Sequence, residues 1–307
     1  MIVVVAPGQG SQTPGFLAPW LELPGAAERV DAYSDAAGVD LRAAGTVWDA
    51  DAIRDTSVAQ PLIVAASTIA CHALRSLAAD APAPGVAGHS VGEISALIAT
   101  GVVSDLEGMR LAGVRGRAMA EAAARAATGM SAVLGGDEAE VLDRLAALEL
   151  TPANFNGGGQ IVAAGPLDAL AALAAEPPAG ARVIRLEVAG AFHTRFMAPA
   201  VETLRAHAAS LAPSDPIGPL WTNRDGSLVT SGREALELLV GQVSSPVRWD
   251  LVMASLAAAG VTGIIELAPA GALVGLARRG LKGVPAVALK SPEDLDAART
   301  MLEGAVA

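Results

Sequence analysis

With 307 residues and a net charge of −11, the chain is long enough for one large or two modest domains, and it carries no electrostatic footprint for a phosphate backbone, which excludes nucleic acid as a partner. Its apolar fraction of 52% comes largely from alanine, and no uninterrupted apolar run approaches the ~20 residues of a membrane span. A single cysteine, Cys71, excludes internal disulfides and zinc-type clusters and is expected to be a small buried hydrophobe. The start has no basic segment or signal-like core, so the expectation is a soluble cytoplasmic protein.

In chain order, Ile2–Ala6 reads as a buried first strand ending in Pro7-Gly8. A long buried helix is predicted from Val58 to Leu77, with Pro61 near its first turn. The short strand Gly85–Ala87 precedes a helix-like run from Ile94 to Ala99, and a further helix from Leu106 to Ala126 opens after Ser104-Asp105, either of which can cap it. Between Gly129 and Val188 the order is strand (Ser131–Leu134), helix (Glu138–Leu148), strand (Thr151–Asn154), strand (Gln160–Ala164), helix (Leu167–Ala175), strand (Arg182–Val188). That β-α-β-β-α-β succession is the ferredoxin-like pattern. Helices from Pro199, Arg233 and Leu251 alternate with strands Pro219–Thr222 and Gly263–Leu267, and a short helix from Ala270 ends before Gly280. The alternation predicts an α/β fold with a largely parallel sheet, residues 1–127 and 190–307, and a small subdomain inserted at 128–189.

The stretch Gly88-His89-Ser90-Val91-Gly92-Glu93 lies where strand gives way to helix. Its G-x-S-x-G spacing is that of a nucleophile elbow, a sharp turn that lifts Ser90 Oγ clear of the backbone at a helix N-terminus, where free N–H groups favour developing negative charge. The amide of Val91, directly after the nucleophile, supplies one oxyanion donor by elbow geometry. A serine needs a base, and four histidines compete. His72 lies in the apolar helix and is expected in the core. His207 lies in a charged helix and is expected exposed. His89 neighbours Ser90, but adjacent side chains at a strand end point apart, which gives it a structural place within the elbow. His193, in the turn Ala189-Gly190-Ala191-Phe192-His193 after a good strand, is the candidate base.

In the helix from Leu106, Arg115 and Arg117 diverge by ~200° at ~100° per residue. Arg110 and Arg117 share one face, so Arg115 points elsewhere, towards the sheet end that carries Ser90.

The segments Val3-Val4-Val5-Ala6-Pro7-Gly8-Gln9-Gly10-Ser11-Gln12, GHSVGE, Val114-Arg115-Gly116-Arg117, Asn154-Phe155-Asn156, Gly190-Ala191-Phe192-His193-Thr194 and Gly241-Gln242-Val243-Ser244-Ser245-Pro246-Val247 together closely resemble the malonyl-CoA:acyl-carrier-protein transacylases, and more distantly the acyltransferase domains of polyketide synthases. The resemblance runs from Ile2 to about Arg299. It implies an α/β-hydrolase-like body with the ferredoxin-like insert and an active site in the cleft between them. It implies a second oxyanion donor at Gln9 and a backbone carbonyl in the Gln242 loop that orients His193. Aspartates between Ser90 and His193 leave a conventional triad open by counting, although catalytic histidines of α/β-hydrolases lie nearer the C-terminus.

The resemblance also makes Arg115 the reader of a malonyl carboxylate by a planar bidentate fork. It places Gln242, Asn154, Phe192 and His89 around the substrate. In the polyketide relatives Phe at the position before the base accompanies malonyl and Ser accompanies methylmalonyl; many bacterial transacylases carry Ser there, and core packing is the other use of Phe192. The implied activity is ping-pong transfer from malonyl-CoA to the phosphopantetheine thiol of acyl carrier protein, with no bound cofactor or metal. A serine thioesterase or esterase shares the elbow and base, and a non-catalytic interaction module shares the fold. The implied partner is acidic, and Arg278, Arg279 and Lys282 form the local basic patch where the resemblance puts carrier contacts.

Overall fold

A computed structural model describes residues 1–304 as a mixed α/β fold with two sheets. The chain opens with β1 (Ile2–Ala6), α1 (Ala18–Leu21), α2 (Ala26–Ala37), α3 (Leu41–Thr46), α4 (Thr56–Leu77), β2 (Gly85–Gly88), α5 (Gly92–Ala99) and α6 (Asp105–Ala123). It continues through β3 (Thr128–Gly135), α7 (Glu138–Ala147), β4 (Thr151–Gly157), β5 (Gln160–Pro166), α8 (Leu167–Ala175) and β6 (Ala181–Leu186). It closes with α9 (Ala198–Ala209), β7 (Leu220–Trp221), α10 (Gly232–Gln242), β8 (Val247–Arg248), α11 (Trp249–Ala258), β9 (Gly263–Glu266), α12 (Ala272–Gly280), β10 (Ala286–Ala288) and α13 (Leu295–Glu303).

The first sheet has the order β10-β9-β1-β2-β7, and every pairing in it is parallel. Its centre, β1, is buried on both faces, which explains an unbroken run of Val instead of polar alternation. Ile2, Val4 and Ala6 enter the core containing α4 and α6, whereas Val3 and Val5 enter the core containing α11 and α12. Helix α4 is the pillar of the first core, with Leu62 to Ala66 fully buried. By length and mean hydropathy α4 is apolar enough to cross a bilayer, which a search for uninterrupted runs overlooks, but 72% of its apolar window is buried inside the protein. Asp55 caps it by accepting from Ser57 N at 2.8 Å, two residues earlier than expected, so Pro61 falls in its second turn. Ser104 begins α6 with a reciprocal capping box to Glu107.

The second sheet has the order β6-β3-β5-β4-β8. Four strands are antiparallel to their neighbours, and β8 joins β4 in parallel. β8 was not anticipated, because two residues carry no readable periodicity. It matters because its register sets Asn154 against Val247, tying the second sheet to the segment that follows Gln242. Also unread were α1, α2, α3, β10 and α13; of these α13 does carry an apolar stripe, Leu295, Ala298 and Leu302.

The carboxylate of Glu266, at the end of β9 and fully buried, accepts from the amides of Gly271, Leu273 and Val274, each at 2.9 Å. It thereby satisfies the N-terminus of α12, the helix that carries Arg278 and Arg279. Removing this acceptor with Glu266→Ala leaves three amide donors unpaired, two of them buried, and is expected to cost roughly 2–4 kcal/mol of stability. Urea denaturation of the purified variant measures it; a loss under about 1 kcal/mol would show that water replaces the carboxylate.

Candidate active site

At the β2–α5 junction Ser90 has a φ of 53°, in the left-handed region that non-glycine residues seldom occupy. The turn is this tight because Gly88 and Gly92 touch backbone: a Cβ on Gly88 would overlap the Gly92 carbonyl, and one on Gly92 would overlap the Ala6 carbonyl oxygen. The carboxamide of Asn223, just past β7, clamps the elbow from the side. Its Oδ1 accepts from Ser90 N at 2.7 Å, and its Nδ2 donates to Gly88 O.

His193 also has a positive φ, 60°, and its amide donates to Val243 O at 3.1 Å. Its Nε2 lies 2.8 Å from Ser90 Oγ, and its Nδ1 lies 2.9 Å from Gln242 O. With Nδ1–H donating to the carbonyl, Nε2 presents a lone pair to the serine hydroxyl. The partner of Nδ1 is a carbonyl oxygen, so the pair is a serine–histidine dyad in geometry. Burial pushes the imidazole down to about 3, and the Arg115 charge adds to the effect while the Gln242 carbonyl opposes it. The imidazole is therefore neutral and able to accept a proton at physiological pH.

Arg115 is 1% exposed and lies beneath the nucleophile. Its Nη1 donates to Gln60 Oε1 at 2.6 Å, its Nη2 to Gln242 Oε1 at 2.8 Å, and Nη2 is also 3.4 Å from Ser90 Oγ. Its Nε is buried without a partner among the described residues. Burial pulls the guanidinium down to about 10, opposed by the charge of Glu93, which leaves it cationic. Arg110 and Arg117 are exposed on the opposite face.

The cleft above Ser90 has a volume of about 360 Å³ and is lined by strands of the second sheet, by loops that follow β1, β2 and β6, and by α12, among them Gln9, Asn154, Val162, Phe192 and Leu276. Gly8 packs directly on His89 and Ser90, which brings the backbone of Gln9 beside the nucleophile. The Gln9 side chain anchors this turn by donating to Arg54 O at 3.2 Å. Neither the Gln9 nor the Val91 amide is engaged by a backbone acceptor among the described residues. His89 faces away from Oγ: its Nε2 is 3.0 Å from Asn156 Oδ1, and its ring packs edge-on against Trp249 at 5.5 Å. Arg278, Arg279 and Lys282 are exposed. Arg279 lines the mouth of the cleft and donates to Gln160 Oε1 at 3.0 Å.

Three expectations fail. His72 is half-exposed, not in the core, because it reaches Asp105 at 2.8 Å. His207 is half-buried, not exposed, with its Nε2 enclosed and the charges of Arg110 and Arg117 nearby. Cys71 is partly rather than fully buried, packed against the core from the flank of α4. Sequence reading missed three members of the site: Gln60, Glu93 and Asn223. Gln60 had a signal, a polar side chain in an apolar helix; Asn223 had none. Among the described residues no group of three or more His, Cys, Asp or Glu could hold a metal ion.

The acyl transferase domain family matches residues 3–299. The chain is 56% identical to the malonyl CoA-acyl carrier protein transacylase of Mycobacterium tuberculosis (strain ATCC 25618 / H37Rv) over 297 residues, 96% of this chain and 98% of that protein. It superposes on the crystal structure of MCAT from Mycobacterium tuberculosis with a TM-score of 0.95 at 55% identity, covering 97% of this chain and 99% of that one. It superposes equally fully, 99% of each chain, on a malonyl-transacylase in complex with its type II PKS acyl-carrier protein, with a TM-score of 0.90 at 30% identity.

A buried, neutral base has a pH signature. Labelling of Ser90 by a fluorophosphonate probe should stay level from pH 8 to about 5, because folded His193 titrates near 3. Below the ordinary imidazole value of 6.5 the unfolded chain takes a proton that the folded site refuses. Stability from this residue is thus complete above pH 6.5 and declines as pH falls towards 3. A labelling midpoint near 6.5 would show a solvated imidazole.

Proposed function

The chain belongs to the acyl transferase domain family, and we propose that it moves the malonyl group of malonyl-CoA to the phosphopantetheine thiol of an acyl carrier protein through malonyl-Ser90. The observation that carries the reading is a buried guanidinium 3.4 Å from the nucleophile, which suits an acyl group with a carboxylate at its far end.

Ser90 Oγ attacks the thioester carbonyl carbon while His193 Nε2 takes the hydroxyl proton. The amides of Gln9 and Val91 hold the oxyanion, worth about 10²–10³ in rate per donor in comparable sites. Collapse breaks the C–S bond, and the imidazolium returns its proton to the departing CoA thiolate. The second half mirrors the first: the carrier thiol gives its proton to His193, its sulfur attacks malonyl-Ser90, and Ser90 leaves reprotonated. Arg115 grips the malonyl carboxylate with the part of its fork that Gln60 and Gln242 leave free. Asn154 and Phe192 bound the acyl group, and His89 holds the elbow to the second sheet. CoA arrives with the substrate and phosphopantetheine with the partner, so the steps need no resident cofactor or metal. The reaction is that of a soluble cytoplasmic enzyme in which α4 serves the core.

We read the body, residues 1–127 and 190–307, as α/β-hydrolase-like, and 128–189 as a ferredoxin-like insert. The strand order β6-β3-β5-β4 with α7 and α8 as its crossovers supports the second reading. We assign carrier docking to Arg278, Arg279 and Lys282, supported by the position of Arg279 at the cleft mouth.

Brief exposure to malonyl-CoA should add one malonyl mass to the protein, lost in Ser90→Ala and discharged by carrier protein much faster than by water. Equal discharge by water would make the chain a thioesterase. Arg115→Ala should lower malonyl kcat/KM by roughly 10²–10⁴, since an unpaired desolvated carboxylate costs about 3–5 kcal/mol, with acetyl-CoA little affected. Equal losses for both acyl groups would make Arg115 structural. Reversing Arg278 and Arg279 to Glu should raise the carrier KM and weaken its salt dependence, leaving acylation by malonyl-CoA unchanged. An unaltered carrier KM at low ionic strength would place docking elsewhere.

A further inference from the structure

Every hydrogen-bond partner of Arg115 is neutral: two carboxamides and the serine hydroxyl. A cation buried to this degree ordinarily sits against a carboxylate. The nearest one belongs to Glu93, 7% exposed in the first turn of α5, and it stands one residue behind. Its Oε2 accepts from Gln242 Nε2 at 2.5 Å, and its Oε1 accepts from Asn223 N at 2.6 Å and from Thr222 Oγ1 at 3.3 Å. Gln242 Nε2 also faces Ser90 O at 3.1 Å. With acceptors on that side, the amide nitrogen of Gln242 must point to Glu93 and its Oε1 must point to Arg115.

We propose that Glu93 is a positioning residue for acyl-group selection. Its carboxyl group fixes the orientation of the Gln242 carboxamide, so that Gln242 Oε1 faces Arg115 and the guanidinium fork stays open for the carboxylate of the incoming acyl group. A carboxylate in direct contact with Arg115 would compete for the same N–H donors; one relayed by a neutral amide does not. This inference rests on the malonyl reading above.

Glu93→Gln nearly preserves volume but adds an N–H₂ group. That group meets either the amide of Asn223 or the carboxamide of Gln242, both donors, and so favours rotation of Gln242 and loss of its contact with Arg115. The test measures single-turnover acylation of Ser90 by malonyl-CoA and by acetyl-CoA, with concentrations normalised by fluorophosphonate titration of competent Ser90. The expected result is a fall of about 10-fold in the malonyl-to-acetyl ratio of kcat/KM, carried mainly by a higher KM for malonyl-CoA. A general loss of folding or of the elbow lowers both substrates together and leaves the ratio unmoved, which would overturn the proposal. If Glu93→Gln does not fold, Glu93→Asp is read in the same way, since the shorter carboxylate keeps the charge but cannot span both Asn223 and Gln242. Gln242→Glu supplies the second arm: a carboxylate placed directly on Arg115 should abolish malonyl preference, and retained preference would also overturn the proposal. Failure of the wild-type protein to accept malonyl instead defeats the functional reading and is distinct from either result.

Discussion

The strained φ of Ser90 is the constraint around which the site is arranged. A non-glycine residue in the left-handed region costs on the order of 1–3 kcal/mol, so the surroundings must hold it there. Gly88 and Gly92 allow α5 to press onto its own strand and onto β1, while Asn223 ties the amide of Ser90 and the carbonyl of Gly88 to the end of β7. Three adjacent strands of the parallel sheet, β1, β2 and β7, thus converge on one turn. The exposure of Oγ follows from their convergence.

Gln242 carries the site's second half with two different parts of one residue. Its carbonyl orients His193, and its side chain meets Arg115 on one side and Glu93 and Ser90 on the other. A neutral carbonyl behind the imidazole fits a centre that already contains a buried guanidinium. It fixes the tautomer without adding a buried charge, and burial, with the nearby Arg115 charge adding to it, keeps the imidazole unprotonated. His193 and Arg115 are therefore coupled through one residue, Gln242 at the C-terminus of α10.

The second sheet supplies the other wall. Because β8 pairs with β4, the segment after Gln242 is hydrogen-bonded to the strand bearing Asn154 and Asn156. His89 is fastened to that strand through Asn156. The elbow, His193 and the cleft wall formed by the second sheet share a single hydrogen-bonded frame.

Much of this was legible in the chain itself. The valines of β1, the glycine-flanked Ser90, the strand–turn context of His193 and the angular offset of Arg115 from Arg117 are local patterns, set by backbone sterics and by the 3.6-residue period, and each points to its element without knowledge of the rest. The order of elements between Gly129 and Val188 was readable for the same reason. What tertiary structure alone decided are contacts between residues far apart in sequence: Asn223 beside Ser90, Gln60 against Arg115, Glu93 behind Gln242, β8 beside β4. These carry no periodicity, because a buried carboxamide or carboxylate is placed by its partner's position in space. His72, His207 and Cys71 were misjudged on the same ground, since residue type and helix composition leave open which flank of a helix a neighbour will cover.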